Sequence, residues 1–404
     1  MHRVAITGMG VVSPLGTSVA PFAESLREGR SAIAPIANIT GENLTVAVGA
    51  QVHEDIFTGN FDPKEVSLLD RTTQLVLLAG RQAIGASGLK FDNGLGPRSA
   101  VVIGTGAGAG GAIEENYYRL YVERNRRAHP MVVPRVMLNA PASHLTMEFG
   151  ISGPSFVVAS ACASANHAIG LAFHMVRSGM VDVAVTGGAE ACMTYGCLKG
   201  WEALRVMAPD TCRPFSRERL GMVMGEGSGV FVLERMDLAK ARDADILAEL
   251  LGWGMSSDAS NIVLPTVEGP TAAMRGCLRD ARLDPERVDY INAHGTGTLA
   301  NDVTETRAIH STLGDHAHEI FISSTKSMHG HALGGSGALE LAAVVSAIRG
   351  NFVPPTQNYL SRDPDCDLDY VPNETRDERI NVALSNSFAF GGHNAVLAVG
   401  RFAG

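Results

Sequence analysis

Short β-rich apolar runs alternate with alanine-rich helical runs along all 404 residues, and nothing else in the chain restricts its fold as tightly. Strands are expected at residues 3–7, 100–103, 156–160, 181–186, 230–234, 248–252, 290–293, 320–323, 381–384 and 395–399, and helices at 72–87, 163–178, 270–281, 304–313 and 337–349. Short apolar runs bounded by turn residues and interleaved with longer helical patterns describe an α/β architecture with largely buried sheets. The 45 glycines cluster at strand ends, where tight turns must deliver functional groups. No low-complexity linker divides the chain. The charged, alanine-rich stretch 237–245 is the expected seam between a first half, residues 1–245, and a second, residues 246–404. Each half carries a strand followed by a reactive-looking turn, 159–163 in the first and 386–392 in the second, which reads as an internal duplication.

A hydrophobic content of 45% with 19% charged residues fits a globular chain, and the net charge of −9 argues against generic nucleic-acid binding. The six cysteines form no CxxC pair and no metal-ligand rhythm. With no secretory pattern at residues 1–8, they read as reduced thiols of a cytoplasmic protein. No apolar run approaches the roughly 20 residues of a membrane span.

Chemistry concentrates in four motifs. The first, Val157-Val158-Ala159-Ser160-Ala161-Cys162-Ala163-Ser164-Ala165-Asn166-His167, ends an apolar strand at a thiol flanked by small residues and continues into helix-compatible sequence. Such a corner presents sulfur at a strand tip and aims the first amides of the helix at it, and the positive helix end favours the nucleophilic thiolate. A cysteine in apolar sequence is, on its own, more often a packing residue. The second motif, Tyr290-Ile291-Asn292-Ala293-His294-Gly295-Thr296-Gly297-Thr298, followed by Asn301 and Asp302, delivers His294 from a strand into a turn relaxed by two glycines. Imidazole there can donate a hydrogen bond or move a proton, and Thr296 and Thr298 suit the polar arm of a substrate. Taken alone, His294 reads as a turn histidine bonded to backbone.

In the third motif, Ser323-Ser324-Thr325-Lys326-Ser327-Met328-His329-Gly330-His331-Ala332-Leu333-Gly334-Gly335, Lys326 can orient its neighbours. Glu340 in the next helix is its counter-ion, and His331 is a second hydrogen-bond donor. His329 and His331 lack a carboxylate or cysteine at matching spacing, so no metal site is read there. The fourth motif, Ser385-Asn386-Ser387-Phe388-Ala389-Phe390-Gly391-Gly392-His393-Asn394, places aromatics among small residues, which suits a gate. A turn N–H there can complete an oxyanion hole with that of the nucleophile.

In this order the four motifs resemble those of the β-ketoacyl-acyl-carrier-protein synthases of the thiolase superfamily, of the elongating cysteine-histidine-histidine (KAS II-like) type. The likeness runs from Ile6-Thr7-Gly8-Met9-Gly10 through Pro214-Phe215-Ser216-Arg217-Glu218-Arg219 and Gly225-Glu226-Gly227 to Gly391-Gly392-His393-Asn394. It implies a thiolase-like five-layer αβαβα fold with two pseudo-duplicated halves, usually as a homodimer, with a heterodimer carrying a chain-length partner as the other arrangement. By position, Cys162 would take an acyl chain from an acyl carrier protein as a thioester. His294 and His331 would bind the malonyl thioester, promote its decarboxylation and stabilise the enolate, which attacks the Cys162 thioester. The N–H groups of Cys162 and Phe390 would hold the oxyanion, Phe388 and Phe390 would form the gate, and Lys326 would be the structural and electrostatic lysine. Thr296 and Thr298 would hold pantetheine. No cofactor and no metal are implied beyond the phosphopantetheine of the carrier.

The chain departs from the housekeeping pattern in several places. His329-Gly330-His331 stands where Thr-Gly-His is common, Ala389 where glycine is usual, and Gly391-Gly392-His393-Asn394 where Gly-Gly-Thr-Asn is. Ala107 falls at a tunnel-lining position, where a small side chain would lengthen or widen the acyl pocket, and Trp201 lines that pocket or belongs to the core. Together these look more like a specialised nodulation-factor or polyene-type branch than like primary fatty-acid synthesis. Gly106-Ala107-Gly108-Ala109-Gly110-Gly111 matches the dinucleotide GxGxxG pattern, but no acidic residue stands at a strand end about 20 positions on and Glu114-Glu115 would repel a pyrophosphate, so a glycine-lined tunnel wall is the expectation. Arg119, Arg124, Arg126 and Arg127 cluster on an acidic chain. Such runs are ordinarily solvated, yet an acidic carrier makes Arg126 and Arg127, with Lys64 and Arg71, docking candidates. Two rival functions remain. A non-catalytic chain-length subunit would generally lack the nucleophile, and a biosynthetic thiolase would use a second cysteine near the C-terminal turn, where residues 385–393 have none.

Overall fold

The computed structural model describes residues 1–37, 39 and 43–404. Its main sheet has ten strands: β1 (Val4–Val12), β2 (Ser99–Gly104), β3 (Ser155–Val158), β4 (Val183–Glu190), β5 (Gly227–Arg235), β6 (Ala248–Ser257), β7 (Tyr290–Asn292), β8 (Phe321–Ser323), β9 (Val382–Ala389) and β10 (His393–Gly400). Each expected strand is present. β9 runs on to Ala389 because the fourth motif continues its antiparallel pairing with β10. The principal helices are α1 (Arg71–Ser87), α2 (Gly110–Tyr121), α3 (Ala140–Phe149), α4 (Ser164–Ser178), α5 (Tyr195–Leu204), α6 (Glu268–Ala281), α7 (Leu299–Leu313) and α8 (Ser336–Gly350). The expected five are α1, α4, α6, α7 and α8. α2 escaped the sequence pattern because it opens on Gly110-Gly111, poor helix formers.

The strand order is β8-β7-β9-β10-β6-β1-β5-β4-β2-β3. Counted from the first strand of each half, both halves read 3-2-4-5-1. In both, the second strand runs parallel to the third and fourth, and the fifth is antiparallel to the fourth and first. The halves meet where Val4–Ile6 of β1 pair with Ala248–Leu250 of β6. This topology corrects one expectation. The Cys162 turn follows a third strand, so its counterpart is the segment after β8 that carries Lys326 and His331. The 386–392 turn closes the β9–β10 hairpin and corresponds to the connection between β4 and β5.

α1 packs on β1 and β5, and α6 on β6 and β10. α4 and α8 touch each other and reach strands of both halves, so they lie between the two half-sheets. The layers therefore run helix, sheet, helix, sheet, helix. α8 is buried from Ser336 through Ile348, as expected for a helix apolar on every side. α1 starts where the Asp70 carboxylate accepts the Thr72 N–H at 2.8 Å and ends at Gly88 in the left-handed region.

Candidate active site

β3 ends at Val158 and α4 begins at Ser164, leaving a sharp corner for Cys162. Ala161 carries the turn at φ +50°, a conformation that costs a non-glycine residue on the order of 1–2 kcal/mol. Ser164 Oγ closes the corner by accepting the Ser160 N–H (2.9 Å) and donating to the Ala161 carbonyl (2.6 Å). Among the loop hydrogen bonds of the described residues, the backbone N–H groups of Cys162 and Phe390 donate none. The thiolate expectation is overturned. Burial pushes the Cys162 thiol up to about 12, and the Lys326 charge offsets this only in part. Removing sulfur from water outweighs the cationic field, so Cys162 rests as a neutral thiol.

β7 delivers Asn292, and His294 follows in a loop anchored from behind by α7. Glu305 accepts the N–H of His294 and of Gly295, both at 2.8 Å, and an Asn386 amide hydrogen at 3.1 Å. Asp302 accepts the Gly297 N–H (3.2 Å) and the Phe215 N–H (2.7 Å). Lys326 is fully buried, ion-paired with the fully buried Glu340, and donates to the His294 carbonyl at 2.6 Å. Its ammonium also lies 3.3 Å from His294 Nδ1. An ammonium can only donate, so Nδ1 is the acceptor and Nε2 carries the ring proton.

His331 has the same polarity by a different device. Its Nδ1 accepts the Leu333 N–H at 3.1 Å and lies 2.8 Å from Ser336 Oγ, so its proton too belongs on Nε2. The two rings stand 5.4 Å apart, nearly perpendicular. Burial first, then the Lys326 charge, holds both imidazoles well below their usual pKa, and each is neutral. His329 lies outside this pair. Its Nδ1 bonds the Gly330 carbonyl (2.8 Å) and its Nε2 the Thr325 hydroxyl (2.9 Å), so both nitrogens are taken.

A cavity of about 260 Å³ joins Cys162, His294, His331, Thr296, Thr298, Phe388, Phe390 and Trp201. The Thr296 and Thr298 hydroxyls lie 2.8 Å apart, and Trp201 stacks on Phe390 at 5.8 Å. Five other sequence candidates fall elsewhere. Ala107 is exposed and does not line this cavity; its N–H faces Glu190 instead. Arg71 is no docking cation: its guanidinium is committed to the buried Glu226 through two 2.8 Å bonds, to Glu54 and to the Val52 carbonyl. Arg126, Arg127 and Lys64 are exposed.

Sequence reasoning missed Glu190. This fully buried carboxylate at the end of β4 accepts the N–H groups of Gly106 (2.7 Å), Ala107 (3.2 Å), Gly108 (2.9 Å) and Gly334 (3.1 Å), and the Thr105 hydroxyl (2.8 Å). A Cβ on Gly106 would come within 2.9 Å of its Oε2. The glycine-rich loop is thus an anion cradle, as its pattern suggests, but its anion is the protein's own side chain. A buried acid at a strand end was the available signal.

Residues 1–239 match the family model for the β-ketoacyl synthase N-terminal domain, and residues 247–360 that for its C-terminal domain. Nodulation protein E of Rhizobium sp. is 50% identical over 397 residues, covering 98% of each chain. The 3-oxoacyl-[acyl-carrier-protein] synthase 2 of Synechocystis sp. is 40% identical over 408 residues, covering 99% of this chain and 98% of that one. Among solved structures, an ishigamide ketosynthase/chain length factor superposes with a TM-score of 0.93 at 35% identity over the whole of both chains. A type II polyketide ketosynthase in complex with its acyl-carrier protein superposes at 0.90 and 30% identity, covering 99% of this chain and 100% of that one.

Proposed function

The chain belongs to the β-ketoacyl synthase family, with its thiolase-like α/β fold, and on that premise we propose that it condenses an acyl thioester held on Cys162 with malonyl-acyl carrier protein. It is an acyltransferase of the condensing type. The observation that carries the assignment of roles is the pair of neutral imidazoles, each with its proton on Nε2, beside one buried thiol in a common cavity.

In the first step the thioester carbonyl of the acyl carrier protein accepts the Cys162 sulfur, and the thiol proton leaves with the pantetheine sulfur. The N–H groups of Cys162 and Phe390 receive the oxyanion. In the second step malonyl thioester loses CO2, and the enolate oxygen accepts hydrogen bonds from Nε2–H of His294 and His331. A dry site makes those bonds strong, and neutral donors stabilise the enolate without protonating it. The enolate carbon attacks the Cys162 thioester, the β-ketoacyl product departs on the carrier, and Cys162 regains a proton from water. Lys326 sets the His294 tautomer, and Thr296 and Thr298 hold the pantetheine arm that Trp201 and the Phe388–Phe390 gate enclose.

The reaction needs no cofactor beyond phosphopantetheine. No described helix is long and apolar enough to cross a membrane, and we place the enzyme in the cytoplasm, acting through two halves bounded near residue 245. The likeness to nodulation protein E supports a specialised lipid or polyketide branch, and the structural neighbours support a dimer, with itself or with a chain-length partner. A non-catalytic chain-length role has Cys162, His294 and His331 against it. Intact-mass measurement after incubation with a panel of acyl-carrier proteins tests the reading. Wild type should gain one acyl group and Cys162→Ala none; an adduct that persists in Cys162→Ala refutes the assigned nucleophile.

A further inference from the structure

Away from the cavity, three segments converge on a second set of side chains. His310 lies in the last turn of α7, His318 ends the short 3-10 turn Gly314–His318, and Asp367 lies on the long connection between α8 and β9. His310 Nε2 is 2.7 Å from Asp367 Oδ1, and the two imidazole rings are 5.0 Å apart at 58°. One ligand atom from each residue lies within 4.8 Å of the other two. The flanking residues hold this geometry. Ile309 and Leu313 of α7 and Cys366 and Leu368 beside Asp367 are buried in one hydrophobic cluster, and Arg362 donates to the Asp367 carbonyl at 3.0 Å. A hydrogen-bonded His–Asp pair accounts for two of these groups but leaves the facing His318 ring unexplained.

We propose that His310, His318 and Asp367 form a binding site for a borderline divalent transition ion of the zinc class. Two imidazoles and one carboxylate are a recognised donor set for such ions, with water completing the shell. Ligand atoms bound at about 2.0–2.2 Å on a tetrahedron stand about 3.3–3.6 Å apart, so the His310–Asp367 pair at 2.7 Å must open slightly and the exposed His318 side chain must adjust to meet the ion. The ion would tie the end of α7 to the 351–381 connection. The first turns of the same helix carry Asp302 and Glu305, which anchor the His294 loop. The ion therefore acts as a clamp on a positioning helix and takes no part in the reaction.

Cobalt(II) alone, added to chelator-stripped full-length protein carrying no appended histidine tag, is the probe. A visible absorption band should saturate at one cobalt per chain, be displaced by zinc, and weaken at least tenfold in apparent affinity in His318→Ala, His310→Ala and Asp367→Asn. Zinc should raise the melting temperature of wild type and leave that of His318→Ala unchanged. His318 is exposed, so that variant keeps its fold, and unaltered condensation activity verifies this. No band, or a band that survives in His318→Ala, overturns the site and leaves a hydrogen-bonded His–Asp pair only.

Discussion

The loops after β2 and β7 occupy equivalent places in the two halves, and each has its backbone amides tied to a buried carboxylate. The first, Thr105 to Gly108, is held by Glu190 from the neighbouring strand of the same half-sheet. The second, His294 to Gly297, is held by Glu305 and Asp302 from the helix that follows it. Only the second carries a reactive side chain. Fastening from a neighbouring strand fixes a loop to the sheet as a wall. Fastening from the following helix leaves the strand tip free to aim a ring into the cavity while its backbone stays fixed. The same division separates the chemistry, with the nucleophile in the first half and the decarboxylating imidazoles in the second.

The sharpest way to break that division is to remove one side of it. Cys162→Ala should abolish condensation by at least about 10³-fold and remove the acyl adduct. His294→Ala and His331→Ala should lose about 10²–10⁴-fold in condensation while still acylating Cys162. Intact mass, read beside CO2 release, separates the two; failure of His294→Ala to acylate would mean the halves do not act separately.

The carboxylates give the next largest effect. Glu190→Gln and Glu305→Gln each replace an acceptor oxygen facing N–H groups and should each cost about 1.5–3 kcal/mol of stability by urea unfolding. Only Glu305→Gln should also lower kcat, because it alone loosens His294. Equal losses of kcat in both variants would erase the distinction between the loops.

Acid probes the second half through His329. Burial depresses His329 to about 3, with the Lys326 charge acting in the same direction. The unfolded ring takes up a proton near pH 6.5 and the folded ring does so only near pH 3, so acid favours the unfolded chain. Stability should therefore be intact above about pH 6.5 and fall by about 1.4 kcal/mol per pH unit for this ring as pH drops towards 3. His329→Thr should remove that increment from the slope of unfolding free energy between pH 6 and 4.5; an unchanged slope would show that the ring titrates alike in both states.

The smallest effect is expected at the surface. Arg126→Glu with Arg127→Glu should raise KM for the carrier several-fold and leave kcat alone. An unchanged KM would free Arg126 and Arg127 of a docking role.

The elements were legible because strand and helix periods alternate without interruption, and the four motifs were legible because each sits at a strand tip. Lys326 and Glu340 were also readable as a pair, since one short loop and the start of a helix separate them. What stayed hidden depends on distant pairing. Glu190 lies 84 residues from Gly106, and Glu226 lies 155 from Arg71. No local pattern shows that one carboxylate fills a glycine cradle or that another consumes a guanidinium. The protonation of Cys162 was misjudged for a related reason: helix-end polarity is local, whereas desolvation is summed over the whole fold.

The Glu190 cradle has a consequence for how such patterns are interpreted. A glycine loop with convergent amides is a receptor whose guest is part of the same molecule, so the motif reports an occupied socket. Shortening the guest, as in Glu190→Ala, would vacate it, and formate or acetate in the buffer should then act as a prosthesis, restoring stability in proportion to its concentration. The loop would have been turned from a strut into a sensor for small carboxylates by the loss of one side chain.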